Sequence, residues 1–382
     1  MPYSYGLLSA YPPARSGAAS FAAGLLDGLT RPGSGARAGV VRVVDAGGRE
    51  AASDVVEHLD ISQPGGPIVA ARALNRFDVA LVQYDTGICG SRDGGWLLDV
   101  LDALRVPAVL VLHDVPRGPT PDQRLVLEHA LDVAGVVVIL AKAARDRLLA
   151  EYAVDPAKLV VIPPGAPDRG YAVGGSEGGP VILTWGLLGP GKGIEWAIGG
   201  LQRIKDLRPT PRYLIAGETH PQVRRGQGEA YRLGLLSRAR ALRVAELVRF
   251  QPGHLAAGEL NRLIRRADVV LLPDDSNESV TSGVLVEAVA AGKPVIAAAF
   301  PHAVELLADG VGLVVPQGNS AAIGEALHRV LTEPELAEGM AERARRIAPT
   351  LLWPAIADRY RAVVDDLLSG RRAAAPDAVS AA

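Results

Sequence analysis

The chain is poor in cysteine, in lysine and in excess charge of either sign, and each shortage narrows its chemistry. A single cysteine, Cys89, rules out an intrachain disulfide and any cysteine-cluster metal site, and fits a reducing cytoplasm. Lysine occurs only at positions 142, 158, 192, 205 and 293 of an arginine-rich sequence, so each lysine is informative. Forty basic residues against 42 acidic ones leave a formal net charge of −2, which provides no sustained attraction to nucleic acid or anionic lipid. No apolar run reaches membrane-spanning length, and no basic start precedes an apolar segment as in a secretory leader. The histidines contain no H-x-x-x-H pair, which disfavours zinc. No G-x-G-x-x-G fingerprint occurs, which disfavours a nicotinamide or flavin dehydrogenase. The expectation is a soluble cytoplasmic protein with no nucleic-acid partner, no membrane span and no metal or other cofactor.

What is present is a rhythm. At 382 residues, 48% of them hydrophobic, the chain is globular and long enough for two domains. Short apolar runs alternate with helix-period segments, the pattern of βαβ units around parallel sheets. The runs "YGLLSAY", "VVRVVDAG", "DVALVQY", "PAVLVLHD", "GVVVILA" and "LVVIPPG" read as strands of a first half. "VILTWG", "RYLIAGE", "LVRFQPG", "DVVLLPD", "KPVIAAA" and "GLVVPQ" begin the rhythm again. A Gly- and Pro-rich stretch from Pro163 to Pro180 reads as the linker between them. The expected class is α/β, with two Rossmann-like doubly wound domains. The first covers 1–168 and the second 169–350. A terminal helix spans 351–369, and 370–382 is a tail without a periodic apolar face.

Parallel sheets bind ligands beyond the carboxyl ends of their strands, which directs attention to the loops there. In "TWGLLGPGKGIEW", Gly186 and Gly191-Lys192 have the spacing of the triphosphate loop G-x-x-x-x-G-K-[ST], yet Gly193 stands where a hydroxyl should reach magnesium. A glycine-rich turn into a helix still offers N–H groups to an anion, and Lys192 adds a charge, which suits a diphosphate without a dedicated metal. A plain tight turn with an exposed lysine is the alternative. Thr281, Ser282 and Gly283 open a second helix whose hydroxyls and N–H groups can take phosphate oxygens. Glu287, in its first turns, can accept from a ribose diol or simply favour the helix dipole. Asp274 and Asp275 form an adjacent pair that reads as locally hydrogen-bonded rather than metal-binding. His113, at the end of a strand and beside Asp114, can hydrogen-bond a sugar or act as a base, or bridge loop backbones. His220 and His302 are weaker candidates.

Together these loops resemble the retaining glycosyltransferases of the family-4 type, which have the GT-B fold of two Rossmann-like domains facing across a cleft. The resemblance covers nearly the whole chain and is strongest in "YPPARSG", "HDVPRGPTPDQR", "GLLGPGKGIEWAI", "AGETHP", "GEAYR", "TSGVLVEAVAAGKPVIA" and "FPHAVELL", as in a bacterial mannosyltransferase-like branch. It implies that Gly17 approaches the donor diphosphate and the reacting sugar, that His113 lies beside the transferred sugar and that Lys192 binds the diphosphate. It places Gly186, Gly191, Glu218, His220, Thr281, Ser282 and Gly283 around the donor, with Glu287 on the ribose as the second glutamate of an E-x7-E signature. The first falls at Ser279, and Glu278 is one residue out of register. Leu187 stands where an arginine often sits. Gln83, Tyr84, Asp85 and Asp114 fall on the acceptor side, where relatives tend to read Gln-His-Glu at 83–85, and Pro164 replaces a histidine.

The resemblance implies transfer of a sugar from a nucleoside diphosphate, GDP-mannose first and UDP-sugars next, to a small-molecule acceptor with retention of configuration. A homodimer is compatible with it. A nucleotide-sugar epimerase of the same fold and an inactive nucleotide-binding or scaffold protein are the rival readings.

Overall fold

The computed structural model describes residues 2–44, 52–89, 94–171, 178–276 and 281–370. The tail from 371 onward, the stretch 172–177 of the expected linker, and the signature positions Glu278 and Ser279 lie outside the described residues. The chain divides into two compact units. One combines the residues up to Gly165 with the chain from Trp353; the other is Ala166–Leu352.

In the first unit the strands are β1 (Ser4–Ser9), β2 (Arg37–Val44), β3 (Val55–Asp60), β4 (Val79–Tyr84), β5 (Ala108–Leu112), β6 (Val136–Ile139) and β7 (Leu159–Val161). They form one sheet in the order β3-β2-β1-β4-β5-β6-β7, every pair parallel. Strands β1, β4, β5 and β6 are buried at every residue, which is why they read as unbroken apolar runs. The strand β3 was not among the expected ones. It is an edge strand carrying Glu57 and His58, so its pattern is neither an apolar run nor a clean alternation.

The helix Gly17–Leu29 follows β1 and starts at Ser16, whose hydroxyl accepts the Ala19 N–H at 3.1 Å. Its inner face packs against the last helix, Trp353–Leu368. Close approach there requires glycine: a β-carbon at Gly24 would stand 2.2 Å from the Trp353 indole. Arg361 then donates to the carbonyls of Gly28 and Leu29 at 2.7 and 2.6 Å, satisfying groups that the end of the first helix leaves open. Ile356, Tyr360, Val363 and Val364 enter the same core as Leu7, Leu25 and Val111. At roughly 1.5–3 kcal/mol per buried large side chain, the last helix is a structural part of this unit.

The second unit contains β8 (Val181–Trp185), β9 (Arg212–Ala216), β10 (Val248–Gln251), β11 (Val269–Leu272), β12 (Val295–Ala298) and β13 (Gly312–Val315). Their order is β10-β9-β8-β11-β12-β13, again all parallel. Counted within each unit, both sheets follow 3-2-1-4-5-6, the Rossmann order, with one further strand in the first. The order reverses between β1 and β4 and between β8 and β11, and there the carboxyl ends open a crevice. No described helix is long and apolar enough to cross a membrane.

Candidate functional site

In the second unit the loop after β8 lies at the reversal point and is pinned on both sides. The Gly186 N–H donates to Ala216 O, Leu188 N–H to Glu218 O and His220 N–H to Leu188 O, which ties this loop to the one after β9. The Asp275 and Ser276 N–H groups both donate to Gly191 O, which ties it to the loop after β11. Lys192 thus sits on a loop whose backbone is anchored to both neighbouring loops, with its side chain half exposed. Its ammonium lies 2.7 Å from Asp274 Oδ1. Asp275 accepts the Trp196 indole N–H at 2.7 Å, so the two adjacent carboxylates have separate protein partners. Among the described residues no group of three or more His, Cys, Asp or Glu could hold a metal ion.

Gly193 caps the short helix Ile194–Gly200 in a left-handed conformation, φ +60°. A β-carbon there would stand 1.9 Å from the Pro273 carbonyl oxygen. The residue that looked like a missing magnesium ligand is a glycine because the backbone of the β11 loop occupies the place of any side chain. A shallow pocket opens beside this turn, lined by Leu187, Leu188, Lys192, Asp274, Ser282 and Val284 among others.

Ser282 is the N-cap of the helix Gly283–Ala290, and its hydroxyl accepts the Leu285 N–H at 3.2 Å. Its own N–H donates to Nδ1 of His302 at 3.1 Å. Burial pushes the His302 imidazole down to about 4, so it is neutral at pH 7 and carries its proton on Nε2. The hydroxyl hydrogen of Ser282 and the N–H groups beyond it are what this helix start can offer a ligand. Glu287, on the same helix, is bonded through Oε2 to Arg169 Nη2 at 2.8 Å. Arg169 is nearly buried, and its Nε has no partner among the described residues. Nothing in the local sequence marks Arg169; it comes from within the linker stretch, 118 residues away. Glu218 lies beside the β8 loop, and His220 caps the helix Pro221–Gln227, accepting Gln222 N–H at 3.3 Å.

In the first unit, Gly17 opens its helix with no atom within 4 Å of where a β-carbon would be. His113 directly follows β5, and its N–H donates to Tyr84 O at 2.9 Å, continuing the sheet by one residue. His113 Nε2 lies 2.9 Å from Gln83 Oε1, which also accepts the Ser9 hydroxyl at 3.1 Å. With the amide oxygen accepting both, the ring proton is on Nε2. Phe21 meets the ring edge-on at 4.7 Å. Burial pushes the imidazole down to about 4, with Asp85 pulling the other way. His113 is therefore neutral at pH 7 and a weak base. Gln83 is 2% exposed and Tyr84 likewise buried, and the Gln83 Nε2 is buried with no partner among the described residues. Asp114 accepts from the Thr86 hydroxyl through Oδ2, while Oδ1 is buried with no partner among the described residues. Burial raises its carboxyl to about 6, opposed by Thr86 and helped by Asp85. Gln83, Asp85, Thr86, His113 and Asp114 thus meet at the ends of β4 and β5, within one unit.

A D-inositol 3-phosphate glycosyltransferase of Kineococcus radiotolerans is 30% identical over an alignment 320 residues long that covers 73% of this chain and 71% of that one. The chain belongs to the group 1 glycosyltransferases. Residues 172–347 match the family described as Glycosyl transferases group 1. A D-inositol 3-phosphate glycosyltransferase of Actinosynnema mirum is 30% identical over an alignment 285 residues long that covers 68% of this chain and 66% of that one. This chain therefore spans about two thirds of the length of such relatives. Among solved structures, Anabaena Alr3699/HepE in complex with UDP-glucose superposes with a TM-score of 0.76 at 16% identity, covering 95% of this chain and all of that one. A sucrose-phosphate synthase from Thermosynechococcus elongatus gives 0.73 at 19% identity, covering 96% and 99%. This group 1 chain has the GT-B fold, built from two Rossmann-like units.

Proposed function

We propose that this glycosyltransferase moves a hexose from a nucleoside diphosphate sugar to a hydroxyl of a small acceptor, retaining the anomeric configuration. The observation that carries the reading is the glycine turn at 186–193, which holds Lys192 at the reversal point of the second sheet beside the helix start at Ser282. A diphosphate placed there meets an ammonium, a hydroxyl and backbone N–H groups. Glu287, braced by Arg169, is the acceptor for a ribose hydroxyl.

In the front-face route the acceptor hydroxyl attacks the anomeric carbon on the side from which the diphosphate leaves. The C–O bond to the acceptor forms as the bond to the diphosphate breaks, and the hydroxyl proton passes to the leaving diphosphate. His113, neutral and weakly basic, acts here as a hydrogen-bonding group beside the sugar rather than as the base. The reaction needs no metal in this reading. GDP-mannose is the first donor to test and UDP-glucose the next, since UDP-glucose is bound in a protein of the same fold. D-inositol 3-phosphate, from the name of the relatives, is the first acceptor.

A thermal-shift screen with GDP, UDP, ADP and dTDP tests the donor assignment, and one nucleotide should stand out. Equal shifts for all four, or none, would sink it. Turnover of the preferred donor, with and without acceptor, then separates transfer from epimerisation. Binding without turnover on every donor would favour a protein that has lost catalysis.

A further inference from the structure

The pocket beside the β8 loop has one cation and one carboxylate among its lining residues, and the two are bonded to each other. Lys192 Nζ and Asp274 Oδ1 are 2.7 Å apart, and the other described lining residues are uncharged. The partners differ in freedom. Lys192 is a long side chain with 47% of its surface exposed, whereas Asp274 is 15% exposed on a short stem. The backbone around Asp274 is anchored: its carbonyl accepts from Gln317 Nε2 at 3.3 Å, and the next N–H is bound to Gly191 O. Asp275 is held in turn by the Trp196 indole. Asp274 is therefore a fixed carboxylate, and the ammonium comes to it. Leu187 supplies no second cation to offset the pairing.

We infer that Asp274 is a resident competitor for the Lys192 ammonium, which holds down the affinity for the nucleoside diphosphate and so eases product release. The inference rests on the reading above, that the diphosphate binds in this pocket. On binding, Lys192 must leave Asp274 or divide itself between two anions, and the fixed carboxylate remains within a few ångströms of the ligand's charge. Repulsion at that range, screened as at a protein surface, weakens binding by roughly five- to a hundredfold. The rival idea is that Asp274 joins the diphosphate in holding a divalent cation. It fits less well, because the carboxylate already has its cation and no cluster of metal ligands surrounds it among the described residues.

Titration calorimetry of GDP and UDP, in EDTA and in magnesium, decides between them for the wild type, Asp274→Asn, Lys192→Ala and the double variant. Asparagine keeps the shape and removes the charge, and circular dichroism checks that each variant folds. In EDTA, Asp274→Asn should bind the preferred diphosphate about tenfold tighter than the wild type, with no gain for the bare nucleoside. The gain should shrink when Lys192 is also removed, because part of it acts through the lysine. Unchanged or weaker binding by Asp274→Asn overturns the inference, and a loss confined to magnesium buffer would make Asp274 a metal ligand instead. If Lys192→Ala binds the diphosphate as well as the wild type, the pocket assignment falls with it. If Lys192→Ala weakens binding while Asp274→Asn leaves it unchanged, only the competitor role falls.

Discussion

Gly193 and the Pro273 carbonyl are so close that a β-carbon at Gly193 would stand 1.9 Å from that oxygen, and the glycine also adopts φ +60°. Either fact disfavours a side chain, and together they account for an apparent departure from a magnesium-triphosphate loop. Gly193→Ser should restore the written motif without restoring its function. We expect a loss of roughly 2–4 kcal/mol of stability in urea denaturation and no magnesium-dependent ATP binding. A serine variant as stable as the wild type would contradict the steric account.

Lys192 is the only lysine in its pocket and is half exposed, so its role in the fold is small. The Lys192–Asp274 pair is open to water on the lysine side, which limits its contribution to stability to about 1 kcal/mol. By contrast, removing one group that stabilises charge on a leaving group costs about 10²- to 10³-fold in rate. Lys192→Ala should therefore lower kcat by that factor with the urea midpoint nearly unmoved. Turnover close to wild type would remove Lys192 from the chemistry.

Arg169 and Glu287 form a less exposed pair, and Arg169 contacts Glu287 through one nitrogen while its Nε is buried with no partner among the described residues. Removing the guanidinium leaves the Glu287 carboxylate partly buried without its counter-charge. Arg169→Ala should cost roughly 2–3 kcal/mol, and adding Glu287→Gln should recover about half of it. If the losses in a double-mutant cycle simply add, the pair is not coupled and Arg169 does not brace Glu287.

The reach of the sequence follows the distance over which each feature is encoded. Twelve of the thirteen described strands were legible because strands in parallel sheets read as apolar runs, and β3 escaped because an edge strand keeps polar residues. Lys192, Ser282 and Glu287 could be found because turn, cap and helix signals lie within a few residues of them. Their partners could not. Asp274 is 82 residues from Lys192, Arg169 is 118 from Glu287, and His302 is 20 from Ser282. A contact made by folding leaves no spacing to read. The same holds for Ser9, which meets Gln83 across 74 residues and helps fix the orientation of His113.

His113 and Asp114 are sequence neighbours whose titrations oppose each other. Burial holds the His113 imidazole down at about 4 from an ordinary 6.5, so the unfolded chain binds more protons than the folded one between those values. Its contribution is fully present above pH 6.5 and is lost as the pH falls toward 4. Burial holds the Asp114 carboxyl up at about 6 from 3.8, so the folded chain binds more protons in that window. That contribution is present below pH 4 and is lost as the pH rises through 6. Each amounts to about 3 kcal/mol, and between pH 4 and 6 they largely cancel. Single substitutions should expose them. Relative to wild type, Asp114→Asn should gain stability as the pH rises from 4 to 6. His113→Gln should gain relative stability as the pH falls from 6.5 to 4. Urea denaturation at half-unit pH steps gives both difference curves. Two flat curves would mean that neither group is shifted, and curves of equal sign would mean that one assignment is inverted.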